Sequence, residues 1–238
     1  ILGFVYGERP RSALAARPRE LFAFDRHFFR RFLGVIVPVV GNEVGWALGL
    51  AVEIAVFGHV GTESVAAYNI ADTAIKLVIV VFFGTTNANA IIVGKRIGQR
   101  DTEGAVRAAR YCMRLAPVLG VALGAVLGAL SFVVPGFFNV SAEVRAYAAV
   151  AMVIYGCGMP LRMFNWHMIV GVMRAGGDTR FALAVDVGGT WLVSVPLVAL
   201  TGLLGAPFWI VYVATMMEDV PKAFLGVRRV RSRTWLND

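Results

Sequence analysis

Charged residues and cysteine are both scarce in this 238-residue sequence. Only 16% of its residues are Asp, Glu, Lys or Arg, whereas a typical soluble domain carries about 25%. The two cysteines, Cys112 and Cys157, lie inside apolar runs and form no CxxC pair. This usage indicates neither a disulfide framework nor a zinc site.

Histidine is also rare, and the familiar catalytic motifs are missing. The three histidines, His27, His59 and His167, lie far apart in the sequence. No HExxH, GxSxG or GxxxxGK[ST] motif occurs. An enzyme embedded in a membrane needs a metal cluster or a nucleophile paired with a base. We therefore expect the protein not to be an enzyme, and to use no metal and no cofactor.

Apolar residues, in contrast, are abundant. They make up 58% of the chain, against about 45–50% in soluble domains. The net charge is +8, but the positive residues lie mainly in the connections between apolar runs. Membrane topology produces this distribution, so we expect a lipid bilayer as partner and no nucleic acid.

Six apolar runs are long enough to cross a bilayer as helices. Lys and Arg concentrate between alternate runs and at both ends, so the positive-inside rule predicts two cytoplasmic termini in a bacterial inner membrane. The predicted fold is all-α: a polytopic integral membrane protein with a six-transmembrane-helix bundle. The runs lie at residues 32–57, 68–93, 111–135, 146–173, 181–203 and 207–227.

Three regions are predicted along the chain. Residues 1–31 open on ILGFVYG without an initiator Met, which favours a fragment that begins at the end of a preceding transmembrane helix. The rest of this region is a basic amphipathic linker, suited either to the headgroup layer or to packing on protein. Residues 32–227 form the six-helix lobe. Residues 228–238 form a basic cytoplasmic tail with a Trp anchor.

The first run carries a carboxylate, Glu43, near its middle. A carboxylate at this depth costs roughly 2.5–3.5 kcal/mol on insertion scales, so it faces a partner or a water-filled cavity. We predict that Glu43 binds a cation, with a role limited to packing as the alternative. Trp46 shares its helical face and is suited to stacking on a cation, although simple packing also explains it. Asn42 either binds substrate or bonds a neighbouring helix.

Polar residues in the later runs are predicted to play structural or gating roles. Asp72 and Lys76 lie four residues apart and share a helical face. We expect Asp186 to pair with Arg162, because both residues lie in the inner halves of consecutive runs. We expect Glu218, Asp219 and Lys222 to pair with one another or with Arg174 or Arg180, and we place Asn165 in the cation or substrate site. Gly120, Gly124 and Gly128 predict a groove for a neighbouring helix.

The most compact motif is RAGGDT, Arg174 to Thr179. Gly176 and Gly177 suit the left-handed residue that ends a helix. Asp178 and Thr179 suit the N-cap of the next helix. The motif therefore predicts a tight cytoplasmic turn between two helices.

Four stretches in order, PVVGNEVGWALG, VGKRIGQRDTEGA, RAGGDT and EDVPKAFLGVRRVRS, resemble the multidrug and toxin extrusion (MATE) transporters, in particular their DinF-like branch. The resemblance implies twelve spans in two lobes, of which this chain is the second. It implies exchange of organic cations or amphiphiles for H+ or Na+, with Glu43 in cation binding. The fourth run, MPLRMFNWHMIVG, lacks the acidic residue that some branches carry there, and the coupling carboxylates of the DinF-like branch lie in the first lobe.

Two other functions remain as alternatives. A related transporter group flips lipid-linked precursors, but it needs a large basic cavity and the runs contain few Lys or Arg. A six-span protein that dimerises would rebuild a two-lobe transporter from two copies. If the chain is one lobe of a MATE-type transporter, it requires two partners, the absent N-terminal lobe and a small organic cation.

Overall fold

The computed structural model describes residues 25–236, except for the side chains of Arg31 and Val35. The described residues are helical apart from short turns, which confirms the all-α class. Most of the predicted linker, residues 1–24, lies outside the described residues. The chain divides into two units, Ile1–Pro38 and Val39–Asp238, and the polar network and cavity described below belong entirely to the second unit.

Eight α-helices run through the described part of the chain. Two π-helical segments, Ile169–Arg174 and Thr190–Ser194, extend α4 and join α5 to α6. The helices are α1 Arg26–Val60, α2 Thr62–Gly98, α3 Thr102–Leu130, α4 Ala142–Met168, α5 Thr179–Gly189, α6 Val195–Leu203, α7 Phe208–Ala214 and α8 Asp219–Arg231.

Among the described residues, five helical stretches are long and apolar enough to cross a membrane. They match the first five predicted runs, but most extend beyond the predicted limits because helix continues into the polar connections. The stretches are Arg26–Val60, Thr62–Gly98, Thr102–Leu130, Ala142–Arg174 and Thr179–Leu203.

The sixth predicted run, 207–227, is not one continuous α-helix. It is divided into α7 and α8 by a tightened turn, in which Met216 N–H donates to the carbonyl of Val213 and Asp219 N–H to that of Met216. Pro221 explains the division, because its ring clashes with the carbonyl four residues earlier and it has no N–H to donate. Helix α8 continues to Arg231, past the predicted start of the tail at residue 228.

Glycines bring α3 and α4 into close contact. A Cβ built on Gly120 would lie 2.5 Å from Pro160 Cα, and one on Gly124 would lie 2.3 Å from the carbonyl oxygen of Gly156. Both distances are shorter than van der Waals contact, so only glycine permits this approach. Gly128 has no such neighbour within 4 Å, so the predicted groove is correct for two of its three glycines.

Candidate functional site

One face of α1 packs along the helical stretch from α5 to α6. Its residues recur at spacings of three or four, which keeps them on one side of a helix. Glycines at two of these positions let the backbones approach, since a Cβ on Gly49 would lie 2.4 Å from Thr190 Cγ2. The facing pairs are Asn42 with Asp186, Gly45 with Val187, Gly49 with Thr190, and Glu53 with Ser194.

Glu53 is the buried carboxylate of α1. It lies ten residues after Glu43 in the same apolar run and is not among the site residues predicted from the sequence. Its residue surface is only 7% exposed, and Ser194 Oγ donates a short hydrogen bond to its Oε1. No cation of the described chain forms an ion pair with Glu53. The signal that would have found it is its place on the glycine-bearing face of α1.

Lys222 joins a buried carboxylate, Glu218, to a partly buried one, Asp186. Its Nζ lies 2.8 Å from Asp186 Oδ1 and 3.0 Å from Glu218 Oε2. Asp186 also accepts a hydrogen bond from Asn42 Nδ2 at 2.8 Å, and Thr190 Oγ1 donates to Glu218 at 2.7 Å. The lysine therefore ties α5, α1 and the start of α8 into one network.

Arg162 provides the second cation of the network. Its Nε lies 2.9 Å from Asp219 Oδ2, and its Nη2 lies 3.5 Å from Glu218 Oε1. The predicted pairing of Arg162 with Asp186 is therefore wrong. The reason is the break before α8, which brings two adjacent carboxylates to α4 and leaves Asp186 to Lys222.

Side chains of α4 donate hydrogen bonds to backbone carbonyls on both sides of this break. Arg162 Nη2 donates to the carbonyl of Thr215 at 3.4 Å. Asn165 Nδ2 donates both to the carbonyl of Asp219 at 2.8 Å and to its carboxylate at 2.9 Å. Asn165 is thus buried beside Asp219, where its hydrogen bonds stabilise the interrupted helix. It does not line the cavity described next.

A small cavity of about 60 Å³ lies beside the network. Such a space has room for a few water molecules and is far smaller than the ~300–1,000 Å³ of sites for drug-sized ligands. Charged and hydroxyl side chains share its wall with aromatic rings, and the Arg162 guanidinium stacks 5.1 Å from the centre of the Tyr155 ring. The lining residues include Trp46, Glu53, Tyr68, Tyr155, Arg162, Thr190, Tyr212 and Glu218.

Carboxylates outnumber cations in this network. The four acids Glu53, Asp186, Glu218 and Asp219 face the two bases Arg162 and Lys222. Burying unbalanced charge is costly, so a proton or a small cation would stabilise the cluster.

Glu43 lies outside the buried network. Its side chain is 61% exposed and pairs with Arg174 through a distance of 2.9 Å from Oε1 to Nη1. Of the two alternatives predicted for the acids near the inner surface, pairing within the cluster is correct for Glu218 and Lys222, and Arg174 binds Glu43 instead. Trp46 lies one helical turn from Glu43 and contributes to the cavity wall instead.

Asp72 and Lys76 form the predicted pair on α2, with 2.6 Å between Asp72 Oδ2 and Lys76 Nζ. The lysine side chain is 72% exposed. The pair is separate from the buried network, because it takes no part in the ion pairs of Arg162 and Lys222.

The RAGGDT turn has the predicted form with two differences. Gly177 adopts the left-handed conformation, with φ of +85°. Gly176 instead serves close packing, because a Cβ there would lie 2.4 Å from Trp235. Asp178 occupies the N-cap position before Thr179, but its carboxylate makes no cap bond. It binds the guanidinium of Arg229 through two hydrogen bonds of 2.7 and 3.2 Å.

The C-terminal tail is folded onto this turn. Trp235, predicted as a membrane-interface anchor, is only 1% exposed and packs against Gly176. Leu236 pairs with Gly177 through an isolated β-bridge, and Arg233 Nη1 lies 2.6 Å from Glu103 Oε1. The hydrogen bonds with Asp178 raise the pKa of Arg229 above its usual value, so this tether stays charged at any physiological pH.

Curated bacterial proteins are similar to this chain in sequence. The chain is 25% identical over 228 residues to "Uncharacterized transporter YisQ" of Bacillus subtilis, covering 92% of this chain and 48% of that protein. It is 26% identical over 188 residues to "Probable multidrug resistance protein NorM" of Rhodopseudomonas palustris, covering 74% and 38%. The chain thus spans about half or less of the length of these relatives.

The fold is similar to that of solved structures, of which this chain covers about half the length. The chain superimposes on a crystal structure of MATE in complex with MaL6 with a TM-score of 0.84 at 18% identity, covering 98% of this chain and 53% of that one. The MatE family model matches residues 38–200. A matched region of this extent, on a bundle of apolar helices, establishes that the chain is a multi-pass membrane protein that belongs to the MatE family of transporters.

Proposed function

We propose that this chain forms the second six-helix half of a cation-coupled antiporter. The complete protein exports organic cations or amphiphilic molecules in exchange for H+ or Na+. It lies in the bacterial inner membrane with the ends of this chain in the cytoplasm. A first six-helix half is its partner, in line with relatives about twice the length of this chain.

The excess of buried carboxylates supports coupling at this half. Glu53 carries the argument, because it is buried, lines the cavity and has a hydroxyl group as its hydrogen-bond partner. Its negative charge is stabilised by whichever positive species is present, a proton or a cation. Exchange requires at least that a proton and a cation compete for the same group.

The wall of the cavity supports an organic cation as cargo. Trp46 lies in that wall and is 39% exposed, and aromatic faces attract cations. Since the cavity is too small for a drug-sized molecule, the cargo would bind where Trp46 and the exposed Glu43 face the other half of the protein. Asn42, bonded to Asp186, would link that surface to the buried network.

The test uses the complete protein in everted membrane vesicles. Efflux of a lipophilic cationic dye is measured with either a proton or a sodium gradient, for wild type, Glu53→Gln and Glu43→Gln. We expect Glu53→Gln to lower the coupled rate about tenfold, which corresponds to ~1.4 kcal/mol. We expect Glu43→Gln to raise the dye concentration needed for half-maximal rate.

Glu103→Gln is the matched control, because Glu103 is an exposed carboxylate paired with Arg233. All variants are compared at equal amounts in the membrane. Unchanged coupled efflux in Glu53→Gln would overturn the role given to that residue. Dye efflux that persists without either gradient in the wild type would overturn antiport itself.

A further inference from the structure

The first turns of α3 carry three exposed arginines on one face. Arg107, Arg110 and Arg114 are spaced by three and four residues, so their side chains are neighbours on the helix surface. We call this surface the arginine face. Across the described residues 25–236, none of the three forms an ion pair.

The nearest acids in the sequence are already engaged. Asp101 pairs with Arg96 at 2.9 Å, and Glu103 pairs with Arg233 at 2.6 Å. Like charges three or four residues apart destabilise a helix. The arginine face therefore has unbalanced positive charge that an external anion would offset.

The position of this face along α3 matches the headgroup layer of a bilayer. From Leu115 to Leu130 the helix is apolar and measures about 24 Å at ~1.5 Å per residue. Together with the turn that follows, this length approaches the ~30 Å of the hydrocarbon core. Arg110 and Arg114 consequently lie where hydrocarbon gives way to phosphate.

Exposed apolar side chains adjoin the arginines. Tyr111 is 70% exposed and Val118 is 63% exposed, and both lie on the same side of α3 as Arg114. At the same end of the α2–α3 hairpin, an open groove of about 370 Å³ is lined by Ile92, Lys95, Arg96 and Gln99. Positive charge beside apolar surface suits a molecule with an anionic head and a hydrocarbon tail.

We propose that the arginine face binds the headgroup of an anionic phospholipid. The guanidinium groups donate to the phosphate oxygens, and the acyl chains lie along Tyr111, Leu115 and Val118. Basic surfaces at the cytoplasmic ends of helices attract anionic lipids in this way. The apolar neighbours favour a lipid over a free phosphate ion, which would gain nothing from them.

The test compares lipid retention by the complete protein. Wild type and the triple variant Arg107→Gln/Arg110→Gln/Arg114→Gln are placed in nanodiscs with equal parts of phosphatidylcholine and phosphatidylglycerol. Native mass spectrometry then measures which lipid stays bound. We expect the preference for phosphatidylglycerol to fall about fivefold for each arginine removed. The corresponding triple Lys variant is expected to keep most of the preference.

Arg145→Gln is the control, because Arg145 is exposed in the first turn of α4, which lies at the opposite end of the α3–α4 hairpin. It is expected to retain the wild-type preference. If the triple variant does not fold, Arg114→Gln alone is tested. Equal retention of both lipids by the wild type would overturn the proposal. Displacement of the bound lipid by glycerol phosphate, at a concentration equal to that of the lipid, would also overturn the proposal. That result would indicate a site for free phosphate.

Discussion

Lys222 Nζ lies 2.8 Å from the carboxylate of Asp186, although only 4% of the lysine side chain is exposed. The two residues come from different helices, α8 and α5. A buried lysine is tolerated only when its charge is compensated, and here Asp186 and Glu218 compensate it together. This contact therefore anchors α8 to α5, which continues into the π-helical segment that carries Thr190 and Ser194.

Replacing the buried lysine should be strongly destabilising. Lys222→Met leaves Asp186 and Glu218 without their shared cation, and removal of one partner of a buried pair costs about 3–5 kcal/mol. Thermal unfolding in detergent measures the effect. Lys76→Met is the matched control, because that lysine is 72% exposed and pairs with a single carboxylate, Asp72, so a smaller loss is expected. Equal unfolding temperatures for the two variants would contradict the assigned network.

Alanine substitutions at two glycines of α3 should change the free energy of unfolding in different directions. Gly124→Ala places a Cβ 2.3 Å from the carbonyl of Gly156, which forces α3 and α4 apart and is expected to cost ~1–3 kcal/mol. Gly128→Ala meets nothing within 4 Å and gains helix propensity, so it is expected to be neutral or to stabilise by up to ~1 kcal/mol. Unfolding of the two variants under the same conditions checks both signs, and a stabilised Gly124→Ala would exclude the close helix contact.

The tail should contribute to stability through Trp235. Trp235→Ala removes a fully buried ring and is expected to cost about 3–5 kcal/mol. Trp235→Phe should cost less, because the indole Nε1 has no hydrogen-bond partner to lose among the described residues. Trp209→Ala is the control, since that side chain is 53% exposed. Proteolysis of the tail reports the change, and equal protection of Trp235→Ala and wild type would exclude the packing against Gly176.

The start of α3 should depend on pH through Asp101. The N–H of Gly104, and then Arg96, lower the pKa of Asp101 below its usual value. A lowered folded-state pKa stabilises the fold above the unfolded pKa of ~3.9, and this stabilisation is lost as the pH falls through the folded value. Hydrogen exchange at Gly104, corrected for its intrinsic rate, should therefore accelerate in acid.

Asp101→Asn keeps a cap acceptor but does not ionise. This variant should show the same corrected exchange at Gly104 at neutral and acid pH. If it shows the same acid step as the wild type, the step comes from another group and the cap assignment fails.

The helical spans could be predicted from the sequence because lipid imposes a simple rule. A segment that crosses a bilayer must satisfy its own backbone groups, so long apolar runs become helices. The run at 32–57, for example, lies wholly within α1, and residues 111–130 of the third run lie within α3. The prediction that the last run forms a single α-helix was wrong, although Pro221 is visible in the sequence. Hydropathy depends on apolar character and does not report the hydrogen bond that proline removes.

Ion pairs were harder to predict than spans. Glu218 and Lys222 are four residues apart, and their pairing follows from helix geometry alone. Arg162 and Asp186 lie at similar depths, but depth does not determine which helices are neighbours or how they are rotated. The broken helix before α8 decided that Arg162 binds Asp219.

The sequence by itself determined that this protein is a helical membrane protein with a tight turn at Gly177 and a family motif at Glu43. Those features depend on composition, local backbone conformation and short spacing, all of which are local properties. Only the tertiary structure decided that Glu53 is buried and that Glu43 is exposed. The reason is that burial depends on which face of α1 meets α5 and α6, and that contact is set by the glycines that let the helices approach.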